Sequence, residues 1–189
     1  MTLIKPFFFL LLSFCSMAHA DVVPEWTIVP SESSITFTGT QNSAPVTGAF
    51  KSFSGTIFAD PAKYQDSRVD IVVQMNSLSV TYAELATILI TPEWFNVKAF
   101  PKAEFKSSKF NKVNDKTYDA VGTLTIKDKS IPTTLTFTAT ESPKNHIVVE
   151  GHTIIKRTAF GIGEGEWSST DVVKDDVTIN FKIAATRKE

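Results

Sequence analysis

The residues with the clearest capacity for chemistry are two neighbouring histidines, His146 and His152, out of three in a chain of 189 residues. An alternating pattern predicts one strand through this region, which places both imidazoles and the Glu150 carboxylate on one face. Such a face could bind a divalent metal or supply a general base to a small hydrolase or isomerase. The opposite face, with Ile147 and Val149, is apolar and is predicted to be interior. We therefore expect the histidines on a solvated surface, with no metal site and no catalytic residue.

Two other stretches offer weaker chemical signals. The glycine-rich segment 160–167 resembles a phosphate-binding loop superficially, but Glu164 and Glu166 would repel phosphate, and such a loop should follow a strand and open a helix. It is better explained as a flexible loop at the rim of a barrel. Three carboxylates cluster before the last predicted strand: Asp171, Asp175 and Asp176. Paired carboxylates can hydrolyse glycosides, but in a turn they more often solvate it and bond to local backbone.

Composition and the first residues limit the class of protein. Lys and Arg number 19 against 20 Asp and Glu, so the net charge is -1 and no basic excess indicates nucleic-acid binding. Residues 1–20 are predicted to be a cleavable secretory signal peptide, with Lys5, an apolar run over 7–14 and a small-residue site ending at Ala20. That run is shorter than the roughly 20 residues of a membrane span. We expect an exported, cysteine-free single domain over 21–189, with no stable membrane insertion.

Short alternating runs rich in Val, Ile, Thr and Phe predict an all-β fold. The predicted strands cover 33–40, 48–59, 68–77, 103–111, 117–127, 131–140, 146–156 and 176–186. Their short connections imply antiparallel neighbours. The apolar segment 81–90 is instead predicted to be a short helix that ends before Pro92. Such a meander forms either a closed up-and-down barrel or a two-sheet sandwich, and a barrel of about eight strands is filled by side chains or holds one small ligand.

Phenylalanine is the over-represented residue, with 15 Phe against 3 Tyr. The phenylalanines outside residues 1–20 are spread over most of the predicted strands and the helical segment. They either fill a hydrophobic core or line an apolar cavity that binds a lipid, because ligand pockets are themselves mostly apolar. Periodicity alone leaves both interpretations open.

Several stretches of the sequence carry a family resemblance. Segment 46–57 resembles a G-x-F-x-x-F-x-G-x-I hairpin, and 93–105 resembles a segment in which F-[DN]-V and Y/F-P lead into a strand. Segments 122–127 and 157–162 resemble G-x-L-T-I and R-x-x-F-G-I signatures, and 28–37 resembles the family opening. Together and in order, these stretches make the chain similar to the YceI-like family, which is exported, lipocalin-like and associated with polyisoprenoid binding.

The resemblance implies a single YceI-like domain over 21–189. Its fold would be an eight-stranded antiparallel up-and-down barrel, lipocalin-like, with a short helical insertion near 81–97. The implied location is the periplasm, and the implied ligand is an isoprenoid lipid, a quinone tail or another long-chain amphiphile. The resemblance implies no cofactor, metal or catalytic residue. No nucleic-acid partner is expected, and a homodimer is compatible with the sequence.

Within this reading, one set of residues is expected to line the cavity: Phe37, Phe50, Phe105, Leu124, Phe137, Phe160 and Phe181. A second set is expected at the rim, where a polar head would meet a hydrogen-bond donor: Tyr82, Trp94, Asn96 and Arg157. Segment 82–89 differs in its charged residues from the corresponding segment of many relatives, because it carries a single one, Glu84. Two other classes stay open here: a small periplasmic hydrolase or isomerase using His146 or His152, and a ligand-free stress or interaction protein with a filled barrel.

Overall fold

The structure is a computed structural model that describes residues 23–142 and 145–188, and β-strands dominate this part of the chain. The strands are β1 (Glu25–Ile28), β2 (Ser34–Gln41), β3 (Ala44–Phe50), β4 (Phe53–Phe58), β5 (Arg68–Gln74), β6 (Leu78–Val80), β7 (Lys102–Lys112), β8 (Thr117–Ile126), β9 (Lys129–Ser142), β10 (His146–Lys156) and β11 (Asp176–Arg187). A helix, α1 (Ala83–Leu89), lies between β6 and β7, and short 3-10 helices cover Pro30–Glu32, Pro61–Asp66, Met75–Ser77, Thr158–Phe160 and Gly165–Trp167. The predicted signal peptide over 1–20 falls outside the described residues.

All these strands belong to one antiparallel sheet that closes on itself. Strand β1 pairs with β11 and with β4, and β4 pairs with β5. Strand β2 also pairs with β11, and it pairs with β3, which pairs with β6. The successive strands β1 and β2, β3 and β4, and β5 and β6 therefore each form one barrel strand with an interruption. Together with β7 to β11, each paired to the next, they form the eight-stranded up-and-down barrel, so the predicted fold class is confirmed.

Two of the interruptions lie side by side, and the sequence pattern does not reveal them. The predicted strand 48–59 breaks at Lys51 and Ser52, beside the 3-10 helix Met75–Ser77 that ends β5. The Ser52 backbone N–H donates to Ser77 Oγ at 3.0 Å, and the Lys51 N–H donates to the Ser77 carbonyl at 3.1 Å. A side-chain hydroxyl thus takes over part of the ladder at the break.

Local residue choice accounts for the first hairpin and for the helix. Between β2 and β3, Asn42 and Ser43 have φ of 49° and 64°, the pair of positive angles that a type I′ hairpin turn requires. The helix predicted over 81–90 is found as α1. A helix of this length is unstable alone, so its position depends on the burial of Leu89, which is 5% exposed, against the barrel core.

The two ends of the barrel differ, and we name them by what lies there. At the helix end are α1, the β2–β3 hairpin and loop 161–175; at the terminus end, β1 begins and β11 ends. A core cluster that includes Met75, Leu89 and Phe160 lies towards the helix end, and a smaller cluster around Trp26 lies at the terminus end. Within the described residues, no helix has the length and apolar character needed to cross a membrane.

Candidate functional site

A cavity of about 540 Å³ occupies the barrel interior between the two core clusters. This volume lies in the range of about 300–1,000 Å³ that is typical of small-molecule sites. Its walls are the inward faces of the strands, and most of the side chains there are apolar. An apolar cavity of this kind does not hold water well, because a water molecule needs polar partners that such walls lack. The site is therefore suited to an apolar molecule.

Six of the residues expected at the cavity line it: Phe37, Phe50, Phe105, Leu124, Phe137 and Phe181. The seventh, Phe160, was placed wrongly. It lies in the 3-10 helix after β10, is 2% exposed and belongs to the core cluster at the helix end rather than to the cavity lining. The alternation that points inward along a strand no longer holds once the strand has ended. Contact of the six with a ligand stays a prediction.

Glycines in the neighbouring strands let the phenylalanine rings lie against the barrel wall. Gly151 is the cross-strand partner of both Phe137 and Phe181. A Cβ on Gly151 would lie 2.6 Å from Phe181 Cζ and 2.7 Å from Phe137 Cβ, closer than real Cβ atoms come. Gly48 is paired in the same way with Phe37, whose ring fills the place of a Cβ. The rings cover glycine backbone instead of projecting across the barrel, which helps to leave the interior hollow.

Other aromatic residues pack together at the terminus end. Tyr118 stacks on Phe137 with ring centroids 5.8 Å apart, and Tyr64 packs on Tyr118 at 5.8 Å. Phe110 meets Phe137 edge to face at 6.3 Å. Tyr118 lies in the strand predicted over 117–127, whereas Tyr64 has no sequence signal, because the 3-10 helix Pro61–Asp66 lacks strand periodicity. The aromatic residues therefore both fill the barrel ends and line the space between them.

Arg157, one of the expected rim residues, reaches the cavity but has no free donor. It is 1% exposed, and its guanidinium donates to backbone carbonyls at 2.8–3.2 Å: those of Ile162, Gly163, Trp167, Ser169, Val173 and Lys174. Burial lowers the pKa of Arg157, while nearby Asp175 acts in the opposite direction. The side chain thus holds loop 161–175 over the barrel, and a ligand head would have to displace its carbonyl partners.

The other expected rim residues occupy three different environments. Trp94 is 8% exposed and lines the cavity; its ring packs on Trp167 at 5.7 Å, and its Nε1–H has no hydrogen-bond partner among the described residues. Tyr82 also lines the cavity and is 68% exposed. Asn96 does not line it. With φ of 47°, it turns the chain after Thr91, whose carbonyl accepts its N–H, a backbone role to which asparagine is suited.

Three exposed residues, Tyr82, Glu84 and Ile88, line the cavity at the helix end, and we call this opening the mouth. Strand β6 runs antiparallel to β3 with Val80 opposite Gly48, so the chain leaves β6 beside the β2–β3 hairpin. Loop 161–175 meets the same hairpin through the bridge between Gln41 and Val173. The mouth is therefore bordered by cavity-lining residues from the hairpin, α1 and the loop: Thr40, Gln41, Tyr82, Glu84, Ile88 and Val173. Apart from Tyr82, these residues are not predicted from the sequence, because the border forms only when three distant segments meet.

The histidines and the acidic cluster lie away from the cavity. His146 Nε2 is 3.0 Å from Glu32 Oε2, and His152 is exposed on the outer face of β10. Asp175 accepts hydrogen bonds from the Thr158 N–H and from Thr158 Oγ1. Burial acts to raise the pKa of the Asp175 carboxyl, but these bonds help to hold that pKa below its ordinary value. Within 23–142 and 145–188, the acidic, histidine and cysteine side chains form no group that could hold a metal ion.

Comparison with known sequences gives one family. The family model described as the YceI-like domain matches residues 26–185. Curated proteins named Protein YceI, from Salmonella arizonae and Salmonella newport, are 34% identical over 88 residues, which are 47% of this chain and 46% of each relative. The chain thus spans about half the length of the curated relatives that it matches.

Solved structures share the barrel. Burkholderia cenocepacia BcnA is similar with a TM-score of 0.81 and 31% identity, covering 84% of this chain and 99% of that one. The Campylobacter jejuni YceI protein is similar with a TM-score of 0.68 and 26% identity, covering 75% and 85%. A polyisoprenoid binding domain from Saccharophagus degradans, implicated in plant cell wall breakdown, is similar with a TM-score of 0.70, covering 88% of this chain and 99% of that one. At 12% identity, this is a likeness of fold alone.

Proposed function

This chain belongs to the YceI-like family, and from that premise we propose that it is a non-enzymatic carrier of a long apolar amphiphile in the periplasm. The ligand would be a polyisoprenoid, a quinone tail or a similar lipid, with its apolar chain inside the barrel. The observation that carries this proposal is the cavity of about 540 Å³, in which the Phe37 and Phe181 rings occupy the space beside Gly48 and Gly151. Each CH₂ group of a chain buried there contributes about 0.8 kcal/mol to binding.

The direction of the ligand follows from the two ends of the cavity. The terminus end is packed with aromatic rings, and the mouth carries the polar and exposed residues Gln41, Tyr82 and Glu84. An amphiphile keeps its polar head hydrated and buries its tail. The tail would therefore point towards Phe137 and Tyr118, with the head at the mouth.

Binding without catalysis is supported by the placement of the chemically capable side chains. His146 and His152 lie on the outer face of the barrel, and the cavity lining contains neither. The polyisoprenoid-binding description of the Saccharophagus degradans domain agrees with the proposed ligand class, although at 12% identity the two chains share only a fold. Export to the periplasm rests on the sequence pattern of residues 1–20.

The proposal is tested by native mass spectrometry and organic extraction of the full-length protein purified from the periplasm of its expression host. We expect an apolar lipid to co-purify with the wild type and to be lost from Phe181→Trp, whose larger ring takes up cavity volume. The matched control is Ile154→Trp, on the outer barrel face at 60% exposure, which should keep the lipid. Wild-type protein that is empty and takes up no added geranylgeraniol would contradict the proposal.

A further inference from the structure

The mouth combines one carboxylate with neutral hydrogen-bonding groups. We propose that this mouth selects a ligand with an uncharged, hydrogen-bonding head, such as an alcohol or a carbonyl, over one with a phosphate head. The inference rests on the proposed function, because it concerns the head of the same amphiphile. It is carried by four side chains at the mouth, Thr40, Gln41, Tyr82 and Glu84, and by the positions and partners of the two cations that line the cavity, Arg157 and Arg68.

Glu84 is held at the mouth by its place in the chain. It lies in the first turn of α1, directly after β6 has delivered the chain to the β2–β3 hairpin, and it lines the cavity while its side chain is exposed. A carboxylate in the first turn also interacts favourably with the helix dipole. A phosphate group placed at the mouth would meet this negative charge at close range.

The neutral groups at the mouth have capacity to spare. Within the described residues, the Gln41 amide, the Thr40 hydroxyl and the Tyr82 hydroxyl form no side-chain hydrogen bond, and all three residues line the cavity. An amide and hydroxyls can each donate and accept. They can therefore donate a hydrogen bond to a carbonyl head, or donate to and accept from an alcohol head. Displacing loosely held water from these groups costs little.

Neither cation of the described cavity lining is free at the mouth, and two further cations of the helix end are engaged. Arg157 gives its donors to the carbonyls of loop 161–175. Lys127 Nζ donates to the Gly161 carbonyl at 2.6 Å and lies 3.3 Å from Glu164, with its side chain 7% exposed. Lys174 Nζ donates to the Asp171 carbonyl at 3.1 Å and does not line the cavity. Arg68, which does line it, lies over Phe58 at the terminus end.

The balance of charge at the mouth therefore disfavours an anion. A phosphate head would gain no free cation from the described lining at this end and would repel Glu84. For an exposed pair in water the repulsion is modest and screened by salt, so we expect roughly a three- to tenfold difference in affinity at low ionic strength. The difference should shrink as salt is added.

The test uses two ligands with the same tail, geranylgeraniol and geranylgeranyl monophosphate, titrated below their micelle concentrations into lipid-free full-length protein. We expect the alcohol to bind roughly three- to tenfold more tightly. Glu84→Gln should bring the ratio of the two affinities towards one, and Glu84→Lys should reverse it. The control Glu166→Gln removes an exposed carboxylate of loop 161–175 that does not line the cavity, and should leave the ratio as in wild type.

Each other outcome overturns a defined claim. Equal or tighter binding of the monophosphate by wild type, or a ratio that Glu84→Gln and Glu84→Lys leave unchanged, contradicts the selectivity while leaving the carrier function standing. Failure of wild type to bind either ligand contradicts the carrier function and the selectivity together. Circular dichroism of each variant establishes that α1 and the barrel are still folded.

Discussion

The helix end and the terminus end of the barrel are closed by different means. At the terminus end, closure is by aromatic packing: Trp26 is 3% exposed with its Nε1–H bonded to the Ala59 carbonyl at 2.8 Å, and Tyr64 covers Tyr118. At the helix end, closure is by loop 161–175 and α1, and one buried cation, Arg157, holds the loop. The cover of the cavity at the helix end therefore depends on polar contacts to backbone, while the terminus end is covered mainly by packed aromatic side chains.

The two covers at the helix end also differ in how firmly they are held. Loop 161–175 is fixed by Arg157, by Lys127, and by the Glu93 carbonyl, which accepts the N–H groups of both Gly163 and Glu164 at 2.8 Å. Helix α1 has no side-chain N-cap, and Leu89 is its one buried residue. Helix α1 is therefore held by fewer contacts than loop 161–175.

The largest expected effect comes from removing the Arg157 guanidinium. Arg157→Met strips several buried carbonyls of their donor, so we expect a loss of about 3–5 kcal/mol in the free energy of unfolding. Arg157→Lys keeps the charge but lacks the planar fork, so its loss should be intermediate. Urea denaturation measures both. A loss below about 1 kcal/mol in Arg157→Met would show that the loop is held by other contacts.

The next largest effect concerns the glycines beneath the phenylalanine rings. The Cβ of Gly151→Ala would lie closest to the Thr136 carbonyl oxygen and also against Phe181 and Phe137, so these groups must move, and overpacking of this kind costs about 1–3 kcal/mol. Gly39 offers a matched control, because a Cβ there would meet nothing nearer than Val177 Cγ2 at 3.8 Å. We expect Gly39→Ala to change stability by less than about 0.5 kcal/mol. Thermal unfolding of the pair checks this, and equal effects would contradict the close fit of rings on glycine.

A smaller effect separates the tryptophans of the two ends. Trp26→Phe deprives the Ala59 carbonyl of its donor, whereas Trp94→Phe removes an N–H that has no partner within the described residues. Both rings are buried, so the difference between the variants reports the hydrogen bond. We expect Trp26→Phe to cost about 1 kcal/mol more than Trp94→Phe in urea unfolding. The reverse order would mean that the Trp94 N–H contributes to the folded state.

The smallest effect is a dependence on pH at the helix end. The pKa of Asp175 in the folded protein lies below its ordinary value of 3.8: burial raises it, but the hydrogen bonds from Thr158 together with the charges of Lys156 and Arg157 lower it by more. A carboxyl whose pKa is lowered by folding stabilises the folded protein at pH values above its unfolded-state pKa. This stabilisation is lost as the pH falls through its folded-state pKa. The stability gap between wild type and Asp175→Asn should therefore narrow below about pH 4. A gap that stays constant down to acid unfolding would contradict this assignment.

Much of the barrel could be predicted from sequence, because alternation survives wherever a strand is long. The pattern along β8, β10 and β11 puts Leu124 and Phe181 inside and His152 outside, as the structure does. The close approach of rings to Gly151 also had a signal, since a glycine inside a strand often marks a place where another group comes near.

The parts that could not be predicted depend on tertiary contacts between distant segments. The acceptors of Arg157 are backbone carbonyls, which carry no side-chain signature, so its donors appeared free for a ligand. Phe160 follows the end of β10, where parity gives no direction, and Asn96 serves a turn. The border of the mouth consists of a hairpin, a helix and a loop, and the sequence of each segment does not indicate that the other two lie beside it.

The central claim is that the cavity takes an apolar chain with its tail towards the terminus end. It is tested most directly by NMR of the protein with isotope-labelled geranylgeraniol, reading nuclear Overhauser contacts between ligand methyl groups and assigned aromatic ring protons. We expect contacts from the terminal methyl groups to Phe137 and Tyr118, and from the head to Tyr82. Contacts confined to the outer barrel face, or a head at Phe137, would contradict it.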